Sequence, residues 1–533
     1  MFVFLLMLRH AFVEDGKLYL FAVFSAVVWG LWLLKILLSR RYRPWTEPHE
    51  TTTSVVIPVV DEPLDLFRDV LTRICAQRPT ETIVVINGPR NVELEQVCDE
   101  FAQDGVTWTW TPIPGKRNAV KVGTEMASGD ILVLVDSDTV WARDTLAELV
   151  KPFADSRIGG VTTAQRILDP GRSFLTRWAD WLENSRVKYS MPAQSVLGQI
   201  GCLPGRTIAF RRSIVLKAMD EFMHGRFLGV FLEVSDDRTL TNLTLKQGYR
   251  TVYQSTSLVW TDAPLELRKL FKQQLRWSRG SQYNTLRMLP WMVSHAPVLA
   301  IFFLTDIILP FLLAGAVIGA AYRIVTGTGI NYYGAIVAEY GSTVGIVSVV
   351  ALTLVATGLS MGVRHLRHLV EVPGDWWRMP LYVVFSSAFL MPIRLLGFFR
   401  MAHVAGWGTR KDAYAGSSTD EAVSNDLIAE LEASEPGPVD VVDRPGVILQ
   451  PEGSVTGTAG APDAGPAAAT SGGPATRSAT RTAVATPARP ATDSAPKQAA
   501  RSRRRLNPAA AVPYLIGGAF LALLTTYEAA YLV

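Results

Sequence analysis

Hydrophobic positions in this chain fall into two rhythms. Between Thr52 and about Asn284, short β-rich runs (SVVIPVV, TIVVING, DILVLVDSD) alternate with polar or amphipathic stretches. That alternation predicts an α/β domain with a largely parallel sheet, in which ligands sit at the carboxyl ends of strands. The residues just past each run are therefore the ones to watch: Asp61 and Glu62, Asn87 and Gly88, and Asp136 to Asp138.

On either side the apolar runs are much longer. Residues 18–38, 296–321, 343–361 and 513–533 each come close to the ~20 apolar residues that cross a bilayer. The first contains one lysine near its end that can snorkel, and Arg40, Arg41 and Arg43 put that end in the cytoplasm. A cleaved signal peptide is the competing reading; the length of the run, the missing small-residue cleavage site and the few preceding cations favour a retained anchor. The spans within 296–361 go out and return, with Arg364, His365, Arg367 and His368 following the second. The apolar run 379–400 carries Pro380, Pro392 and Arg394 and reads as interfacial or re-entrant. From 411 to 510 the chain is rich in Ala, Pro, Gly, Ser, Thr and Arg, a composition that reads as a disordered linker. RSRRR at 501–505 then precedes the last span, whose charge bias sends the C-terminus outward. The expected divisions are an anchor over 1–45, the α/β domain over 46–285, a membrane and interfacial region over 286–410, the linker over 411–510 and a terminal helix over 511–533.

Composition agrees with a membrane protein: 49% of the 533 residues are hydrophobic, and mean hydropathy is +0.20. The net charge, 52 basic minus 48 acidic residues, is +4, too balanced to argue for nucleic acid. Cys75, Cys98 and Cys202 show no CxxC or Cys/His ligand spacing, which suggests neither zinc nor a disulfide framework.

The polar motifs carry the chemistry. Asp136 and Asp138 in DSD end the strand run ILVLV, where two carboxylates can hold Mg²⁺ or Mn²⁺ against diphosphate oxygens. Taken alone, DSD reads more readily as a strand-end turn. GKRNA at 115–119 offers a glycine turn with Lys116 and Arg117 to grip a diphosphate, or simply a solvated basic turn. Asp61 and Asn87 would line a nucleotide pocket by the same geometry, or cap loops. SDDRTLTN at 235–242 supplies Asp236 and Asp237, a candidate general base whose like-charged neighbour raises its proton affinity. Helix capping by Ser235 or Asp236 is the structural alternative. QQLRW at 273–277 lies in an amphipathic segment that can rest on a membrane surface, offering Arg276 to a diphosphate and the face of Trp277 to a sugar ring. Tryptophan there can equally be an interfacial anchor.

Taken together, GKRNAV, VDSDT, SDDRTLTN with GYRTVYQS, QQLRWSRG and WGTRKD resemble the hyaluronan synthases. These are processive family 2 glycosyltransferases, with chitin and cellulose synthases as more distant relatives. The resemblance covers roughly residues 50–410. It implies a cytosolic GT-A domain seated on a membrane channel in the cell membrane, elongating a polysaccharide from UDP-sugars in contact with membrane lipid; nothing in it names a protein partner. It implies that Asp136 and Asp138 bind UDP and metal, that Asp237 is the general base, and that Lys116, Gln273 and Arg276 contact the nucleotide. Trp277 would form the acceptor floor, and Trp407 and Arg410 of WGTR would sit on a gating loop. Two blocks depart from the pattern. GCLPGRTIAFRR at 201–212 looks more like the type 3 capsular polysaccharide synthases, and SDDR stands where hyaluronan synthases usually have GDDR. The product is thus open, while glucuronate-containing polymers are common to both relatives. The expectation is a processive inverting transferase; the alternatives are a homopolymer synthase, a non-processive enzyme acting on a lipid phosphate, and a scaffold with an inactive transferase domain.

Overall fold

The computed structural model describes residues 20–113, 115–229, 235–327, 337, 340–402 and 508–530. Trp407, Arg410 and nearly all of the expected linker lie outside the described residues.

Among the described residues eight strands form one sheet: β1 (Thr53–Val59), β2 (Glu81–Asn87), β3 (Val106–Thr111), β4 (Ile131–Val135), β5 (Val140–Trp141), β6 (Ile158–Ile167), β7 (Thr207–Arg211) and β8 (Arg250–Thr261). Their order is β3-β2-β1-β4-β7-β6-β8-β5. Strands β3, β2, β1 and β4 are parallel neighbours, as are β6 and β8, whereas β7 runs antiparallel between β4 and β6, and β5 antiparallel to β8. The expected α/β class with a mostly parallel sheet is therefore what folds.

The unbroken apolar runs are explained by burial on both faces. In β1, Val55, Ile57 and Val59 enter one core with Phe67 and Leu71 of α2 (Leu64–Cys75) and Leu94 of α3 (Val92–Glu100). Val56, pointing the other way, joins Ala119 and Val120 of α4 (Lys116–Met126) and Phe222 of α8 (Arg212–His224). The chain order before α8 is completed by α1 (Leu20–Ser39), α5 (Thr145–Val150), α6 (Phe174–Ser185) and α7 (Met191–Val196), with a π-turn at Arg186–Ser190 between the last two.

Two features of this topology place the site. The sheet is laid down on both sides of β1, with β2 on one side and β4 on the other, so a crevice opens at the carboxyl ends of β1 and β4. Then the antiparallel register pairs Val135 with Thr207. That puts the residues before Thr207 opposite those after Val135, and Asp136 N–H donates to Arg206 O at 2.9 Å.

After α9 (Asp236–Lys246) come the long helices α10 (Leu267–His295), α11 (Pro297–Thr326) and α12 (Ser342–Arg364), the short α13 (Leu366–Glu371), then α14 (Met379–Phe385) and α15 (Met391–Phe399) joined through a π-turn, and finally α16 (Val512–Ala530). Pro297–Tyr322, Met379–Phe399 and Ala509–Tyr527 are long and apolar enough to cross a membrane, and Val23–Ser39 is a shorter apolar helix. The stretch expected at the interface, 379–400, thus also has the length and apolarity for a crossing. It packs on the α/β domain as well: Trp178 Nε1 donates to Ser386 Oγ at 2.9 Å, and Tyr382 lies 5.5 Å from the Trp181 ring. Helix α16 sits against α11 and α15, with Phe520 at 5.4 Å from Phe311 and Tyr514 stacked on Phe399.

Candidate active site

Gly115, at φ +121°, turns the chain into α4 and delivers Lys116 to the crevice. The ammonium of Lys116 pairs with Asp136 and lies 4.0 Å from Asp236 Oδ2. Between the DSD carboxylates, Ser137 is fully buried and donates to Glu62 Oε1 at 2.7 Å, which pins the middle of the turn inward. Asp136 and Asp138 both line a cavity of about 610 Å³.

The start of α9 lines the same cavity. Ser235 holds the left-handed conformation (φ +66°, ψ +59°), one that glycine adopts freely and other residues occupy at a cost. The backbone at this position thus favours glycine, the residue that the resemblance to hyaluronan synthases leads one to expect there. Asp237 accepts from Gly205 N–H at 3.1 Å, Arg238 N–H at 2.7 Å and Ser235 Oγ–H at 3.3 Å. These donors come from both sides and set the carboxylate's orientation. Burial raises the pKa of Asp236 above the ordinary carboxylate range; Lys116 and Arg117 pull it down, while Asp237 and Asp136 push it further up.

Arg117 corrects an expectation. It is 2% exposed, donates to Phe222 O at 2.6 Å and to Thr239 Oγ1 at 3.3 Å, and lies 3.8 Å from Asp236 Oδ1. One residue further round α4 than Lys116, it faces the core and lies beside Asp236 rather than in the cavity lining. Asn87 is also interior, at 1% exposure: in its hydrogen-bonding orientation the amide donates to Val59 O at 3.0 Å and accepts from Gly115 N–H at 3.1 Å. It ties the ends of β1 and β2 to the Gly115 turn. Asp61 is exposed beyond β1 and is not part of the cavity lining.

Helix α10 brings Gln273, Arg276 and Trp277 to the same cavity. Arg276 Nε is buried with no partner among the described residues, a donor suited to an anion. Trp277 is 41% exposed, and Leu267 and Phe271 are exposed on the same helix.

Other cavity residues carried no motif. Lys35 of α1, Asp306 of α11 and Arg394 of α15 line it, with Asp306 and Arg394 paired at 3.6 Å. Lys35, the one lysine of the first apolar run, lies over the Phe302 ring at 5.5 Å. An acid inside the apolar run FFLTDIILP was a legible signal, because ionisable groups in such helices face cavities. Gly205 and Arg206 line the cavity too, placed there by the β7 register. Cys202, also lining it, is pushed up to about 12 by burial and is a thiol at neutral pH.

The donor chemistry fits a hard divalent cation shared with a ligand. Asp136 and Asp138 supply carboxylate oxygens, and among the described residues no group of three or more His, Cys, Asp or Glu could hold a metal by itself. Two carboxylates plus diphosphate oxygens is a usual arrangement for such ions.

The family model "Glycosyltransferase like family 2" matches residues 49–280. An N-acetylglucosaminyltransferase of Rhizobium meliloti (strain 1021) is 31% identical over 296 residues, 53% of this chain and 69% of that protein. A hyaluronan synthase of Streptococcus pyogenes is 26% identical over 410 residues, 74% of this chain and 93% of that protein. Among solved structures, the mannosyltransferase PcManGT from Pyrobaculum calidifontis, in complex with GDP-Man and Mn²⁺, is 20% identical with a TM-score of 0.49, covering 72% of this chain and 97% of that one.

Proposed function

The chain belongs to the family 2 glycosyltransferases and is a membrane polysaccharide glycosyltransferase with a GT-A type α/β domain, and from that premise we propose that it is a processive, inverting polymerase of UDP-sugars. The observation that carries the reading is the shared cavity, lined by Lys116, Asp136, Asp138 and Asp237, by Arg276 with Trp277 on α10, and by Lys35, Asp306 and Arg394 on the apolar helices. Diphosphate chemistry, a base and a path toward the membrane lie in one space.

In the reaction, Asp237 accepts the proton of the acceptor hydroxyl. The hydroxyl oxygen attacks the anomeric carbon, and the bond from that carbon to the diphosphate oxygen breaks with its electron pair leaving on UDP. Gly205 N–H and Arg238 N–H keep the Asp237 carboxylate aimed while the hydroxyl docks. Lys116 and Arg276 neutralise the leaving diphosphate. A Mg²⁺ or Mn²⁺ held by Asp136 and Asp138 supplies further charge neutralisation when bound. Trp277 offers the acceptor ring a flat apolar face. The α/β domain lies in the cytoplasm, where UDP-sugars are available, and the polymer leaves between the apolar helices of a multi-pass enzyme in the cell membrane.

The test is UDP release by the full-length, detergent-solubilised protein with Mg²⁺ or Mn²⁺, given UDP-glucuronate, UDP-N-acetylglucosamine and UDP-glucose singly and in pairs, with products sized on a gel. Long polymer supports the reading, and the donors consumed name the product. Short glycolipid alone, or no UDP release with any donor, overturns it.

A further inference from the structure

Arg238 occupies a place that is costly for a cation on two counts. It is the third residue of α9, at the end where the helix dipole disfavours positive charge. It is also only 3% exposed, and a buried charge is expensive unless well bonded. Two hydroxyls and a ring hold the guanidinium. Nη1 donates to Ser281 Oγ and Nη2 to Thr285 Oγ1, the latter at 2.7 Å, and Cζ lies 4.0 Å from the centroid of the Phe303 ring. The Thr285 hydroxyl gives its own proton to Ser281 O at 2.8 Å, which leaves its oxygen to accept. Phe303 is backed in turn by Gly201, where a Cβ would run into the ring.

The two hydroxyls belong to a row. Gln273, Trp277, Ser281 and Thr285 follow one another at every fourth position of α10, so they share one face, and all of them line the cavity. The Arg238 fork spans Ser281 and Thr285, one turn apart, while its backbone N–H donates to Asp237 Oδ1 at 2.7 Å. A single residue thus touches the base with its main chain and the row bearing Trp277 with its side chain. We propose that Arg238 is a positioning residue that fixes the register of α10 against α9, and so sets the distance from the Asp237 carboxylate to the Trp277 face on which the acceptor ring rests. The proposal rests on the polymerase reading above and adds the group that keeps base and acceptor platform in step. A slide or twist of α10 would break both N–H bonds and leave a buried guanidinium unpaired. Lysine would keep the charge without the rigid fork that spans a turn.

The experiment uses full-length protein in detergent with the donors that wild type consumes, and measures kcat, donor KM, calorimetric UDP affinity and thermal unfolding on each preparation. Arg238→Lys is expected to lower kcat about tenfold to a hundredfold, the scale of a misplacement near one ångström, with donor KM and UDP affinity within about twofold of wild type. Ser281→Ala with Thr285→Val removes the fork's acceptors and keeps Arg238. That pair is expected to lower kcat about three- to tenfold in the wild-type background and to add nothing in Arg238→Lys, as groups in direct contact do. If Arg238→Lys does not fold, the hydroxyl pair decides alone: its kcat falls at unchanged donor KM, or the proposal fails. A kcat for folded Arg238→Lys within about twofold of wild type, whatever its melting temperature, overturns the positioning role. Equal losses from the hydroxyl pair in both backgrounds overturn it too, because the fork is then not the link. A loss of UDP affinity that matches the loss of kcat also overturns it, by assigning Arg238 to the donor. Each of these outcomes leaves the polymerase reading standing, whereas no UDP release by wild type with any donor removes that reading and the positioning role with it.

Discussion

Asp237 and Asn have nearly the same shape, and the amide oxygen can keep one of the two backbone bonds, that from Gly205 N–H to Oδ2 or that from Arg238 N–H to Oδ1. Asp237→Asn should therefore keep the site's geometry and UDP binding while cutting sugar transfer by about 10²–10⁴-fold; calorimetric UDP binding beside a transfer assay checks this, and near-wild-type transfer removes Asp237 as the base. At Ser235 the argument is conformational. Its left-handed backbone costs a non-glycine residue roughly 1–2 kcal/mol, partly offset in a glycine variant by about 0.5–1 kcal/mol of extra unfolded-chain entropy. Ser235→Gly should consequently raise stability by no more than about 1.5 kcal/mol, read as a small upward shift in the unfolding midpoint. Asp236 gives a pH dependence. Its folded pKa is raised, chiefly by burial, so over the window from about pH 4 up to that raised value the native state holds a proton the unfolded state has lost. Stability contributed at this site is greatest below the window and falls as pH rises through it. Thermal unfolding of wild type and Asp236→Asn across that range should show a shallower slope in the variant; identical slopes refute the assignment.

Elements meet at close crossings as well as at ion pairs such as Asp306–Arg394. Helix α10 carries both the nucleotide-side residues and the seam with α15, where Gln282 Nε2 donates to Arg394 O at 2.7 Å. A Cβ added at Gly397 would run into the Ser278 side chain, so the two helices approach as closely as a glycine permits. Gly397→Leu should cost about 1–3 kcal/mol by overpacking. Because α10 also bears Arg276 and Trp277, the same variant should lower transfer without touching a catalytic group. Thermal unfolding and UDP release on one preparation test both effects. The amphipathic pattern of α10 was legible in sequence, since spacing alone defines a helix face. Its partner across the seam was not, because the close approach depends on a glycine more than a hundred residues away.

At the scale of the whole molecule, α16 belongs to the same compact unit as the α/β domain, though the family resemblance stops near residue 410. It packs on α11 and α15 through Phe520 and Tyr514, and Gly517 leaves room for the Phe398 and Phe399 rings. Removing residues 507–533 should lower the melting temperature of the detergent-solubilised protein, and separately expressed 507–533 should restore it. An unchanged melting temperature means the helix contributes nothing to the bundle.

What the amino-acid sequence determined by itself was local. Apolar runs of sheet length, the carboxylates that end them, the Asp–Asp start of α9 and the amphipathic face of α10 follow from backbone periodicity, so the α/β class and the core of the site could be read directly. Tertiary structure alone decided which neighbours those residues met. Lys116 and Arg117 are adjacent in sequence, yet one enters the cavity and the other is buried against Phe222, because successive residues on a helix point about 100° apart and packing chooses the face. Arg206 stands beside Asp136 only because β7 runs antiparallel to β4 with Val135 opposite Thr207. Lys35 and Asp306 share the cavity only because α1 and α11 come together there. No local pattern encodes such pairings: they arise when distant segments bury their apolar faces together, and the polar groups at the seams become the site.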